Sequence, residues 1–125
     1  MFIQQDIPSL PLNKRNLQDS AIVAGNPDVQ GRIISLTDDK CTARVAWKMT
    51  AGTVKMSIDV GTSDLMYVLA GGAEIRVQGQ PPIVFKAGDW VECPCCEFEL
   101  HVPEFFHKIS VIYNPNGLSL QAEPL

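Results

Sequence analysis

The most constraining feature of this sequence is a run of strict alternation. Over residues 53–60, Val54, Met56, Ile58 and Val60 alternate with Lys55, Ser57 and Asp59. A period of two fits a half-buried strand and no helix. Ile75 and Val77 alternate with Glu74, Arg76 and Gln78 in the same way, and residues 31–36, 64–70, 83–85, 90–91, 98–102 and 105–113 are further β-rich stretches. Gly71-Gly72, Gly79-Gln80-Pro81-Pro82 and Asn114-Pro115-Asn116-Gly117 punctuate them as turn signals. Roughly seven to nine short strands at about ten-residue spacing, with no sustained helical period, predict an all-β sandwich or barrel.

A chain of 125 residues has room for one such core. The expected organisation is an N-terminal arm over residues 1–27, a barrel over 28–114 and a C-terminal tail over 115–125. Ten basic against fourteen acidic residues give a net charge of −4, which argues against nucleic acid or an anionic membrane as a partner. No apolar run approaches the ~18 residues needed to span a bilayer. The opening MFIQQDIPSLPLNKR lacks the basic-then-apolar order of a secretion signal, so a cytoplasmic location is expected. Cys93, Cys95 and Cys96 crowd together while Cys41 stands apart. That spacing closes no useful disulfide loop and lacks the second pair of a zinc motif, so reduced thiols are expected.

One segment is more specific. Asp64-Leu65-Met66-Tyr67-Val68-Leu69-Ala70-Gly71, then Glu74-Ile75-Arg76-Val77, then Gly88-Asp89-Trp90-Val91-Glu92-Cys93-Pro94, resembles the cupin superfamily. The resemblance implies a single cupin-type β-barrel of two antiparallel sheets, jelly-roll-like. Cupin chemistry usually uses a metal held by two histidines and a glutamate in a first motif and one histidine in a second. Aligned on Gly52 and Asp64, the first two histidine positions fall at Ile58 and Val60, and the last falls at Glu99. The resemblance therefore implies no metal and no other cofactor. Gly31-Arg32-Ile33-Ile34-Ser35, the run 66–71 and the set Phe98, Leu100, Val102 are similar to small metal-free cupins of the pyrimidine/purine nucleoside phosphorylase type. Trp47 and Gly52 match the opening of small ethanolamine- and ureidoglycolate-associated cupins.

The function implied is binding of a small polar metabolite in the barrel, with nucleoside phosphorolysis as the implied chemistry. A non-catalytic ligand-binding or structural cupin is the alternative, and an enzyme of the ethanolamine- or ureidoglycolate-associated kind is a third reading. The candidate ligand-binding residues are Arg44, Trp47, Asp64, Tyr67, Arg76 and Glu99. The two arginines could meet an anion, the two aromatics could stack on a ring, and the two carboxylates could exchange protons. Solvated strand faces and ordinary core packing are the plainer readings of the same residues. One residue fewer around Cys95-Cys96 would turn Glu99 and His101 outward and Phe98, Leu100 and Val102 inward. That apolar set reads as a core face, so the inversion, or a bulge, is expected. A homodimer is expected as well, with the apolar arm laid across a partner's sheet edge.

Overall fold

The computed structural model describes residues 3–93 and 96–123; Pro94 and Cys95 of the cysteine cluster lie outside the described residues. The described residues form eight strands and two short 3-10 turns, at Ile7–Ser9 before the first strand and Asp19–Ala21 between the first and second. They are β1 (Asn13–Arg15), β2 (Ile22–Gly25), β3 (Val29–Leu36), β4 (Thr42–Ile58), β5 (Ser63–Arg76), β6 (Ile83–Lys86), β7 (Trp90–Glu92) and β8 (Cys96–Tyr113). Every pairing is antiparallel. Among the described residues no helix is long and apolar enough to cross a membrane.

Three long strands, β4, β8 and β5, run through both layers and bend between them. In the first sheet the order is β1-β3-β4-β8-β5-β7, using residues 42–50 of β4, 105–113 of β8 and 63–71 of β5. In the second it is β2-β4-β8-β5-β6, using residues 52–58, 96–102 and 72–76 of the same strands. The bends fall where the ladder slips, between Thr50 and Gly52 in β4 and between Gly71 and Glu74 in β5. Pro103, with no amide to donate, sits at the matching corner of β8, in the gap between the partners Val102 and Phe105. Gly71-Gly72, read from sequence as a turn, is thus a corner inside one strand. Gly71 has φ +70°, and a Cβ there would lie 2.0 Å from the Phe105 carbonyl oxygen, so only glycine lets the two backbones cross. The hairpin turn from β5 to β6 sits later, where the Gln80 amide donates to Val77 O at 3.0 Å.

The core gathers at this cornered end. Val29, Met49, Val68, Ile75, Val102 and Phe106 are fully buried, and Phe85 meets Phe106 edge-on at 5.7 Å. The arm is paired within its own chain, with Asn13, Lys14 and Arg15 opposite Gly31, Gln30 and Val29 on the free edge of β3. The C-terminal segment is tied back too. Leu118 N–H donates to Lys40 O at 2.7 Å. The Glu123 carboxylate accepts from Ile33 N–H at 2.6 Å and from Arg15 at 2.5 Å.

Candidate functional site

The end away from the corners stays open. There the inward positions of both sheets surround a cavity of about 300 Å³, at the small end of ligand pockets. Its walls are greasy: Trp47, Met56, Ile58, Phe98, Leu100 and Phe106 all line it. Alternation explains the set. Met56 and Ile58 share one face of β4, and Phe98 and Leu100 sit opposite Met56 and Val54 on β8. The expected inversion at Phe98, Leu100 and Val102 is present: all three are buried. Val60, expected on the same wall as Ile58, instead lies beyond the end of β4 and is 83% exposed.

One end of the cavity is polar. On β8 the inward positions run Phe106, Lys108, Ser110 and Ile112, so a lysine enters the barrel on an otherwise apolar stripe. Its ammonium donates to Ser110 Oγ at 2.7 Å, lies 3.6 Å from Asp64 Oδ2 and stands 5.7 Å from the Trp47 ring centroid. A desolvated ammonium over an indole face gains cation–π attraction as well as the ion pair. Asp64 arrives from β5, where it shares the inward face with Met66 and Val68. Its second oxygen, Oδ1, is buried and has no hydrogen-bond partner among the described residues. A buried carboxylate oxygen without a donor is costly, and natural interiors rarely leave one. Cys93 lies at the same end, its Sγ 3.9 Å from Met66 Sδ. Burial, helped by the Asp64 charge, pushes its thiol up to about 12, so it stays protonated and reacts slowly at neutral pH. Leu118, Ser119 and Leu120 of the tied-back C-terminal segment complete the cavity's rim.

Of the residues singled out from sequence, two meet in this cavity: Trp47 and Asp64. Arg44 and Tyr67 face the outside of the first sheet, where Arg44 donates to Ser35 Oγ at 3.0 Å and Tyr67 packs against Trp90 at 4.9 Å. Arg76 pairs with Glu74 at 2.9 Å on the exterior, and Glu99 sits opposite it across the β5–β8 ladder. A wider depression of about 630 Å³ opens there among Lys55, Arg76, Glu97 and Glu99. It holds no buried unpartnered atom among the described residues, whereas the barrel cavity does. Lys108, not among the candidates singled out from sequence, is the cation that lines this cavity. Its signal was parity: it occupies the inward register between Phe106 and Ile112.

The metal site that a cupin resemblance brings with it does not fit these residues. Ile58 offers no donor, Val60 and Glu99 point elsewhere, and Asp64 already faces an ammonium. Asp64 beside a lysine, with Asp59 as the cavity's other carboxylate and no imidazole, is a poor donor set for a first-row transition metal. Among the described residues no three His, Cys, Asp or Glu side chains cluster as ligands.

The sequence matches no family model and no curated protein. The fold does match solved structures. The EutQ protein of Clostridium difficile is similar with a TM-score of 0.66 and 16% identity, over 86% of this chain and 83% of that one. The cupin domain of Schizosaccharomyces pombe Cnp3 is similar at 0.64 and 11% identity, over 90% and 74%. A protein of unknown function from Pseudomonas syringae, of the DUF861 family, is similar at 0.70 and 15% identity, over 86% and 46%. At such identities the likeness establishes the fold, a single cupin-type β-barrel.

Proposed function

We propose that this cupin-fold protein binds a small, uncharged or zwitterionic metabolite in its barrel, one with an apolar body and an O–H or N–H group at one end. The fold selects no activity, so the argument rests on the cavity. The observation that carries it is Asp64 Oδ1, a buried acceptor on the cavity wall with no donor among the described residues. A ligand hydroxyl or amine supplies that donor, while the Lys108 ammonium stands beside it to donate to a ligand oxygen. The body of the ligand then rests on Met56, Ile58, Phe98 and Leu100.

Charge decides against a phosphate dianion. Among the described residues Lys108 is the one cation on the cavity wall, and Asp64 offsets it. Burying two further negative charges there would go uncompensated. Phosphorolysis of a nucleoside is therefore the weaker reading, and a binding role the stronger. The partner is a small molecule in both cases.

The test is a panel of polyols, hydroxy amino acids and nucleosides, the last with and without inorganic phosphate. Thermal shift and Trp47 fluorescence read binding, and free base read by absorbance reports phosphorolysis. Hits from the hydroxyl- or amine-bearing set, lost in Met56→Trp (which fills the cavity from its apolar wall), support the proposal. Phosphate-dependent release of base would replace it with the phosphorylase reading. No hit from any class would overturn it.

A further inference from the structure

Trp47 and Lys108 point into the barrel, so strand alternation turns the residues beside them outward. Two outward rows of the ladder lie there. One reads Arg32, Ala46, Ile109 and the next Gln30, Lys48, His107, across β3, β4 and β8. An outward row is ordinarily wet, yet Arg32 is 7% exposed, Ala46 0% and His107 8%. The arm supplies cover. Ahead of Asn13, which pairs with Gly31 at the edge of β3, it turns onto this face. Gln4 and Ile7 share a hollow of about 190 Å³ with Ile34, Ile109 and Val111, and Leu10 is buried.

The polar groups buried there lack partners. Arg32 Nε and Nη1 and His107 Nε2 are sealed from solvent with no hydrogen-bond partner among the described residues. None of the three ion pairs among those residues includes Arg32 or Lys48. The carboxylates in reach are engaged elsewhere. Glu123 feels the Arg32 charge but takes its hydrogen bonds from Arg15 and Ile33, and Asp28 accepts from Gln30. The Lys48 charge acts on the His107 ring, so these two stand close together. A buried guanidinium without a counter-ion is costly, and an idle imidazole N–H beside a lysine makes the same demand. One group answers all three: an acceptor that carries negative charge. At ordinary strand spacing the Arg32 and His107 Cα atoms stand about 12 Å apart, with the small Ala46 side chain between them. An arginine and an imidazole can close on one tetrahedral oxyanion across that span.

We propose that this face, beneath the arm, binds a phosphate-class oxyanion through Arg32, Lys48 and His107. The guanidinium supplies forked N–H donors, His107 donates in its Nε2–H tautomer and Lys48 adds its charge from the side. Two cations with no carboxylate bonded to either among the described residues suit a dianion. The barrel cavity is the opposite case, because there Asp64 offsets Lys108. The proposal is independent of what the barrel binds, since its donors lie on the other side of the sheet.

Calorimetric titration and thermal midpoints of the full chain with inorganic phosphate, against sodium chloride at matched ionic strength, test it. The expected result is saturable binding that raises the midpoint by about 5 °C or more at a hundred-fold excess over Kd, where chloride does not. Arg32→Met abolishes the response, and its midpoint in phosphate-free buffer stays at or above wild type, because an unpaired buried charge is gone. Lys48→Gln, at a half-buried position, weakens Kd about ten-fold. Met56→Trp fills the barrel cavity and leaves phosphate binding within about two-fold, which separates this site from the barrel. Glycerol phosphate, titrated in parallel, identifies the source of the anion: equal affinity marks the free ion, and tighter binding marks a phosphorylated metabolite. A midpoint that phosphate moves no further than chloride would overturn the proposal. So would a phosphate response that survives both Arg32→Met and Lys48→Gln.

Discussion

The two ends of this barrel are built from the same three strands and reach different results. At the cornered end, the inward positions of β4, β5 and β8 are Met49, Val68, Ile75, Val102 and Phe106, all wholly buried. A few residues along, the same alternation delivers Asp64, Lys108 and Ser110 to the interior. A buried ion pair is generally no more stabilising than well-packed apolar residues of the same size. The cornered end thus holds the fold together, and the open end gives up stability to present a charged pair beside a cavity.

That contrast can be broken by mutation. Phe106→Ala, at the junction of Phe85 and Trp47, should lower unfolding free energy by about 3–5 kcal/mol in urea titrations. Met56→Ala, on the half-open cavity wall, should cost no more than about 1 kcal/mol, and equal losses at the two sites would show that the ends do not differ. Asp64→Ala strands the Lys108 ammonium in the interior and should cost about 3 kcal/mol by the same measurement.

A pH effect comes next in size, and it belongs to the outer face near the corner. Burial, with the Lys48 charge nearby, holds the His107 imidazole below its ordinary value, and its Nε2 has no partner among the described residues. The unfolded chain therefore takes up a proton first as pH falls below about 6.5, so stability drops from there toward the lower folded-state value. His107→Gln should flatten that slope in a pH series of thermal midpoints; an unchanged slope would assign it to other groups. The smallest effect concerns the rim. Glu123→Ala removes the partly exposed tether to Arg15 and Ile33 and should cost about 1 kcal/mol or less. Peptide mapping should nonetheless find Cys93 alkylated faster, because Leu118 and Leu120 no longer hold the rim closed.

Much of the fold was legible because alternation and turn chemistry are local. The wall of Met56, Ile58, Phe98 and Leu100 follows from parity alone, and so does the outward turn of Glu99. Val60 was misplaced because β4 ends at Ile58 and the chain enters a turn, which a run of alternation does not announce. The continuity of the three long strands was hidden for a related reason. Gly71-Gly72 has the composition of a turn, and only the approach of Phe105 from a distant strand makes it a corner. The rim was out of reach, since residues 118–123 have no periodicity and are fixed by backbone bonds to Lys40 and Ile33, some 80 to 90 residues earlier. Lys108 could have been found, because a lysine in register with Phe106 and Ile112 must either bend its strand or enter the barrel.

The central claim is that the Lys108–Asp64 pair serves a ligand and not the fold. The double variant Asp64→Leu/Lys108→Met separates the two roles, because it replaces both charges with side chains of similar volume. Its thermal midpoint and its calorimetric binding of the strongest hydroxyl- or amine-bearing hit should be measured side by side with wild type. The account predicts a midpoint at or above wild type and no detectable binding. A variant that unfolds early, or one that binds the hit as tightly as wild type, would contradict it.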